Sequence, residues 1–253
     1  MHVLYYSNMV RASIDEVFCS IQGEGLHIGR RHVFVRFQGC DINCRYCDTP
    51  AARRRSGHCR VQSRDNPLEY HEFTNPVSGE SLLEMCRALA ASGPGRPWLS
   101  LTGGEPLLQT DFLLSWLHEA KRHFHIYLET SGVHHQNMRS IRGLVDAVGM
   151  DFKLPSATGL RQFWAEHREF LSACEGMEVF VKAVVTMDTS IEDILTSSRI
   201  IADIGLNTPL IIQPATGQLA PKGAMLLYLQ AAALEVIPEV RVIPQAHKML
   251  GVA

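Results

Sequence analysis

The chain has no run of about 18 apolar residues, so no membrane-spanning helix is expected. Its opening, MHVLYYSNMVRASIDEVF, lacks the basic flank and apolar stretch of a secretory signal. Charge of one sign is missing too. The 24 Lys and Arg stand against 26 Asp and Glu, a formal net charge of −2, which gives no reason to expect a nucleic-acid or membrane-surface partner. Internal repeats and low-complexity segments are absent, and Gly, Pro and aromatics are unexceptional, which excludes fibrous and disordered classes. A paired set of cysteines is also lacking: the total is seven, and three of them crowd into eight residues. Thiols used as ligands in a reducing cytoplasm fit that pattern better than a disulfide framework.

What is present is enough for one core: 253 residues, 46% of them apolar. From residue 33 onward, short β-rich runs alternate with helical patterns. The runs are VFVRF (33–37), WLSLT (98–102), IYLET (126–130), VDAVGMDF (145–152), VFVKAVV (179–185), PLIIQ (209–213) and VRVI (240–243). They lack strict alternation, as strands covered on both faces should. Between them, SLLEMCRALAAS opens with a Ser81-x-x-Glu84 capping box and sets Leu82, Leu83, Cys86 and Leu89 on one side. TDFLLSWLHEAKRHF, LRQFWAEHREFLSAC, SIEDILTSSRIIADIG and PKGAMLLYLQAAALEV also read as helices, whereas VHHQNMRSIRGL has room only for a stunted one. Repeated strand–helix units with right-handed crossovers predict an α/β fold with a parallel sheet, a partial (βα)6-type TIM-like barrel, in a single domain over 1–253. Residues 52–77 are polar, contain Pro67 and Pro76, and read as an inserted surface excursion. The run Arg53-Arg54-Arg55, with Arg60 and Arg64 after it, reads as a solvated loop.

GCDINCRYCDT contains C-x3-C-x2-C, formed by Cys40, Cys44 and Cys47. Three thiolates on one short loop can converge on a single inorganic centre, and thiolates suit iron–sulfur clusters. The alternative is zinc completed by Cys59 or His58, although zinc usually uses paired C-x2-C units. A parallel barrel gathers its chemistry at the C-terminal ends of its strands. Those ends carry Thr102-Gly103-Gly104-Glu105-Pro106, Glu129-Thr130-Ser131-Gly132, Asp151-Phe152-Lys153, Lys182, Gln213-Pro214, and Gln245 with His247 close behind. Two glycines allow close backbone approach to a ligand, and Glu105 can accept a hydrogen bond from an ammonium group. Six polar strand ends in register with a three-cysteine loop are hard to reconcile with a plain core.

GCDINCRYCDT with TGGEP resembles the radical S-adenosylmethionine (SAM) superfamily. SIQGEGLHIGRRHVFVRFQGC, CDT, ETSG and the closing VRVIPQAHKMLGVA resemble its 7-carboxy-7-deazaguanine synthase family, with the motifs in the same order from about Ile14 to the last residue. The resemblance implies the radical SAM fold and a 4Fe–4S cluster on Cys40, Cys44 and Cys47 whose fourth iron binds SAM. It implies a ring contraction of 6-carboxy-5,6,7,8-tetrahydropterin to 7-carboxy-7-deazaguanine and ammonia, initiated by a 5′-deoxyadenosyl radical, in 7-deazapurine (queuosine-type) biosynthesis. Mg2+, a homodimer and a flavodoxin or ferredoxin reductant are implied as well.

By the same resemblance Ile21, Gln22 and Gly23 contact the pterin, and Arg36 offers a fork to its carboxylate. Thr102 touches substrate, and Thr49 ligates Mg2+, though as a residue it reads as a helix cap. Gly104 and Glu105 meet the SAM methionine group, while Asp151, Phe152, Lys153, Gln213, Pro214, Ala215 and Thr216 line SAM. Glu129 and His247 are candidates beside the reacting carbon, and the carboxylate of Ala253 could face the amino-rich edge of the pterin. The rival enzyme reading is a glycyl-radical activase, and the rival from another class is a zinc-stabilised or electron-transfer metalloprotein.

Overall fold

The computed structural model describes residues 10–91, 93–204 and 207–252. Ala253, and the last residues of two expected helices, Ser92 and Gly205, lie outside the described residues. The strands are β1 (Arg11–Ala12), β2 (Ile14–Ile21), β3 (Arg31–Phe37), β4 (His58–Gln62), β5 (Tyr70–Thr74), β6 (Val77–Ser78), β7 (Trp98–Gly103), β8 (His125–Thr130), β9 (Ala147–Asp151), β10 (Glu178–Val185), β11 (Leu210–Pro214) and β12 (Val240–Val242). The helices are α1 (Gly79–Leu89), α2 (Thr110–His123), α3 (His135–Ile141), α4 (Pro155–Thr158), α5 (Trp164–Ala173), α6 (Ile191–Ile204), α7 (Gly223–Leu234) and α8 (Ala246–Leu250).

From β3 through β7 to β12 every neighbouring pair is parallel. All the apolar runs expected as strands are therefore strands of one sheet. The sheet order is β12-β11-β10-β9-β8-β7-β3-β2-β4-β5, and its two end strands do not pair with each other, so the barrel stays open. Helices cover the outside because their apolar stripes face the sheet. In α2 the buried set is Phe112, Leu113, Trp116, Leu117 and Ala120, at helical spacing.

Three features differ from expectation. The sheet starts earlier: β2 precedes the first expected strand and pairs antiparallel with it. Residues 52–77 are no plain loop, since β4 adds parallel to β2 and β5 folds back on β4 as the edge strand. Cys59 and Val61 are buried there while β5 is almost wholly exposed, so the segment covers a core edge with one face and meets water with the other. The cap of α1 is Ser78 rather than Ser81: the Ser78 hydroxyl accepts from the Ser81 amide at 3.2 Å.

The barrel interior near the N-terminal strand ends is filled by Tyr127, Phe180 and Ile211 and by two buried histidines. His27 stacks on Tyr127 at 4.7 Å between centroids and lies 3.4 Å from His32, whose Nδ1 meets the Ser100 hydroxyl at 2.7 Å. Burial pushes both histidines down, His32 to about 3. The unfolded chain takes up protons that this plug refuses. Its stabilising contribution is therefore complete above about pH 6.5 and is lost as pH falls towards about 3. A His32→Gln variant should lose less of its urea midpoint than the wild type between about pH 7 and about pH 5. Equal losses would remove His32 from the acid response.

Candidate active site

The loop after β3 brings Cys40, Cys44 and Cys47 to the C-terminal mouth of the barrel, all as free thiols. Ile42 and Phe163 pack among them. Two arginines fix the loop. Arg45 donates to the carbonyls of Ala157 and Ser156 at 2.9 and 2.8 Å and to Asp188 at 2.8 Å. Arg53 binds the Asn43 side chain and, at 3.1 Å, the Cys44 carbonyl. Burial pushes the Cys40 thiol up to about 11 and raises Cys44 as well. A cationic metal centre inverts this preference and draws both to the thiolate.

Zinc does not fit. Cys59 belongs to the main core, apart from the small apolar cluster around the three thiols, and His58 is exposed on β4. Among the described residues, the set of three donors that converges within 4.8 Å is Glu24, Asp48 and His247, not the three sulfurs. The three sulfurs do not converge as closely as one tetrahedral ion requires.

Below the loop opens a cavity of about 680 Å³. Four buried polar atoms of residues on its wall have no hydrogen-bond partner: Arg53 Nε, the Ser131 hydroxyl, Asp151 Oδ1 and Gln213 Oε1. Buried polar groups are normally satisfied, so four orphans around one void mark a place for a polar ligand. The glycines expected beside SAM make room for it. A Cβ on Gly104 would come 2.1 Å from the Gly39 carbonyl, and Gly103 sits at φ +117°. Only glycine lets this turn lie against the cysteine loop.

Ile21, Gln22, Gly23, Arg36, Thr49, Thr102, Glu129 and His247 all reach the cavity wall. Glu129 Oε1 accepts from Gln22 Nε2 at 2.6 Å and Oε2 from the Thr102 hydroxyl at 2.7 Å. Burial, then the neighbouring Glu24 carboxylate, raises the Glu129 carboxyl above its ordinary range, although it keeps an accessible edge on the cavity. Lys182 bridges Glu24 and Asp151, and Lys153 holds Asp151 at 2.8 Å. Burial pulls Glu24 upward, but Lys182 and Gln245 outweigh it and keep the carboxylate below its usual range. His247 is pushed down by burial and rests against Gly23, where a Cβ would lie 2.3 Å from its Nδ1.

Several expected contacts are placed elsewhere. Glu105 is 0% exposed, and its carboxylate accepts from the Thr130 hydroxyl at 2.8 Å, the Ser131 amide at 2.8 Å and the Leu107 amide at 3.1 Å. It orders the Thr130–Ser131 turn instead of presenting itself to an ammonium group. Phe152 is in the core, stacked 4.5 Å from the His167 ring, and Pro214 is off the cavity wall, unlike Gln213, Ala215 and Thr216. Arg36 Nε is taken by Glu16 at 2.7 Å, which leaves its Nη1–Nη2 end for a carboxylate. Thr49 stands at the start of the 3-10 turn Pro50–Arg53 without making a cap bond, its hydroxyl 4.0 Å from Cys47 Sγ.

Sequence reasoning gave no role to Glu24, Asp48 or Lys248, yet they tie the site's borders together. Gln245 Nε2 donates to Glu24 at 2.7 Å and to Asp48 at 2.9 Å, and Lys248 Nζ reaches Asp48 at 2.9 Å. Asp48 is drawn down to about 2: burial opposes this, but Lys248 and Gln245 prevail. The signal was there, since Glu24 lies in SIQGEG and Asp48 follows the last cysteine of the triad.

A model of the radical SAM superfamily matches residues 34–197. The 7-carboxy-7-deazaguanine synthase of Geobacter sulfurreducens is 40% identical over 244 residues, covering 95% of this chain and 97% of that protein. That of Methanothermobacter thermautotrophicus is 35% identical, covering 96% and 98%. The crystal structure of QueE from Escherichia coli shares the fold with a TM-score of 0.57 at 19% identity, covering 96% of this chain and 99% of that one. With its cysteine loop, its glycine turn and its polar strand ends all facing one cavity, the chain belongs to the radical SAM superfamily and, within it, to the 7-carboxy-7-deazaguanine synthase family.

Proposed function

We propose that this cavity converts 6-carboxy-5,6,7,8-tetrahydropterin to 7-carboxy-7-deazaguanine with loss of ammonia, in 7-deazapurine (queuosine-type) biosynthesis. The carrying observation is one cavity with three free thiols on one wall and the Gln22–Glu129–Thr102 hydrogen-bonded set on another. When bound, the 4Fe–4S cluster and SAM together supply a hydrogen-abstracting carbon radical.

The chain's own part is to bind, orient and handle protons. Cys40, Cys44 and Cys47 hold three irons. Asp151 Oδ1 and Gln213 Oε1, both unpartnered, accept donors of SAM, while Gly104, Lys153, Ala215 and Thr216 complete its walls. Ile21, Gln22, Gly23 and Thr102 meet the pterin, and the Nη1–Nη2 end of Arg36 meets its carboxylate. Thr49, whose side chain reaches the cavity wall, would be the residue that holds Mg2+, which would supply charge neutralisation beside the substrate. Ammonia leaves only as its nitrogen gains a proton, and a carboxyl raised by burial is suited to hold that proton at Glu129. His247, its pKa pushed down by burial, faces the same cavity as a neutral acceptor. A homodimer and a flavodoxin or ferredoxin reductant complete the reading. Among the described residues no helix is long and apolar enough to cross a membrane, and seven free thiols fit the cytoplasm.

Anaerobic reconstitution followed by incubation with SAM, dithionite and the carboxytetrahydropterin tests this directly. The expected outcome is 7-carboxy-7-deazaguanine and ammonia. SAM cleavage with the pterin left intact, or a radical on a polypeptide glycine, would transfer the site to an activase. Within the same assay, Cys44→Ser should lose bound iron and sulfide and reduce SAM cleavage below detection. Cys59→Ser should keep both, because its thiol serves the core.

A further inference from the structure

Behind the cavity-facing residues at the end of β9 stands a buried histidine. His167 lies in α5, is 0% exposed, and stacks flat on Phe152 with ring centroids 4.5 Å apart. A phenylalanine at this position would stack as well, without taking two ring nitrogens out of water. The nitrogens therefore have a use beyond packing, and the backbone shows it. β9 ends at Asp151. The Phe152 amide still donates across to the Lys182 carbonyl of β10 at 2.7 Å, but among the described residues no backbone carbonyl takes the Lys153 amide. It donates instead to His167 Nε2 at 3.3 Å. A part-buried amide without that acceptor would be costly, so the ring decides whether the chain holds this turn beyond the strand end.

The turn splits consecutive residues between two sides. Phe152 is held in the core by its stack on His167, and its neighbours Asp151 and Lys153 face the cavity. There the Lys153 ammonium binds Asp151 Oδ2 at 2.8 Å, while Oδ1 has no partner. Burial, then the nearby Lys153 charge, pushes His167 down to about 3 against a weaker pull from the Ser131 backbone. The ring is thus a neutral acceptor at working pH, seated between the residues that follow β8 and β9. With Nε2 accepting, its proton sits on Nδ1. Four residues earlier, its ring 6.2 Å from that of His167, Phe163 packs with Ile42 and Cys44 of the cysteine loop. The His167 amide donates to the Phe163 carbonyl at 2.8 Å. The start of α5 therefore braces the cysteine loop with one ring and the turn after β9 with the next.

We propose that His167 is a positioning residue for SAM: its Nε2 accepts the Lys153 amide and its ring backs Phe152, which together aim Asp151 and Lys153 at the bound cofactor. This rests on the reading that Asp151 and Lys153 line SAM. His167 is off the cavity wall and acts only through these neighbours.

The test compares His167→Phe, which keeps a flat ring on Phe152 but offers no acceptor, with His167→Gln, whose Oε1 can take the place of Nε2. Hydrogen exchange at the Lys153 amide is followed in the reconstituted enzyme without SAM. SAM affinity is measured by anaerobic titration calorimetry, alongside KM for SAM and for the pterin. In the wild type the Lys153 amide should exchange slowly, and in His167→Phe at least about tenfold faster. SAM should bind the phenylalanine variant about tenfold more weakly, with KM for the pterin within about twofold of wild type. The glutamine variant should recover most of the exchange protection and most of the SAM affinity. An unprotected Lys153 amide in the wild type would overturn the proposal before any variant is made. So would an equal rise in both KM values, or a glutamine variant no better than the phenylalanine one, since each leaves His167 a packing residue only. A wild-type enzyme that binds no SAM would sink the reading of the cavity and this proposal with it. Wild-type binding matched by an unaltered His167→Phe would sink this proposal alone.

Discussion

Glu129→Gln should lower kcat by about 100- to 10,000-fold while leaving the fold and SAM binding in place, the range expected when a positioned proton donor is removed. The substitution is close to isosteric, and the surrounding hydrogen bonds decide how the amide must sit. Gln22 cannot turn over freely, because its Oε1 already accepts from the Glu24 amide at 3.1 Å. Its Nε2 therefore keeps donating, so the new amide must present its oxygen to Gln22 and its NH2 to Thr102. The Thr102 hydroxyl can rotate to accept. Geometry is retained and proton capacity is lost.

The raised Glu129 carboxyl gives the experiment a second readout. Burial and Glu24 push it up, whereas Lys182 pulls it down. Removing the Lys182 charge should move the alkaline limb of the kcat profile, where the donor loses its proton, to higher pH, since the protonated form gains. In Glu129→Gln that limb should vanish, and 5′-deoxyadenosine should form without matching product. A variant that turns over within a few-fold of wild type with an unaltered alkaline limb would take Glu129 out of the chemistry and leave it as a hydrogen-bonded wall.

The same residues show where sequence is legible. The seven apolar runs from Val33 onward become strands because burial on both faces favours Val, Ile, Leu and Phe over several residues. β2 and the β4–β5 hairpin escape this test. DEVFCSI buries only Val17 and Phe18 among polar neighbours and YHEFT buries neither face, so their mixed polarity gives no strand signal. At the site, motifs name consecutive residues, but a pleated strand sends alternate side chains to opposite sides. Asp151 and Lys153 therefore face the cavity while Phe152 stacks on His167, and Gln213 and Ala215 face it while Pro214 does not. Glu105 shows a different limit. Its motif places it at the right strand end, but only the fold reveals that the carboxylate is consumed by Thr130, Ser131 and Leu107.

Gly23→Ala should raise KM for the pterin by about tenfold or more, a loss near 1.4 kcal/mol of binding, with little change in melting temperature. Gly23 does not have a positive φ, so the effect comes from space. The Ala246 amide donates to the Gly23 carbonyl at 2.9 Å, which seats α8 on the turn that carries Gln22. An added methyl would lie 2.3 Å from His247 Nδ1 and 2.4 Å from its backbone nitrogen. A ring can swing aside cheaply, but the backbone can yield only if α8 lifts. That helix has few ties to the core, as the exposure of Met249 at 76% and Leu250 at 60% shows, so it lifts without unfolding the barrel. What goes with it is the Gln245 and Lys248 clasp on Glu24 and Asp48. Once Asp48 loses Lys248 and Gln245, its carboxyl should return from about 2 towards the ordinary aspartate value of 3.8, and the pterin side of the cavity opens to water. SAM affinity should fall less than pterin affinity, since α8 reaches the SAM wall through Lys248, which donates to the Thr216 hydroxyl at 3.2 Å, while Asp151, Lys153 and Gln213 stay in place. A crystal structure of the variant with α8 unmoved, together with an unchanged KM, would detach the C-terminal helix from substrate binding.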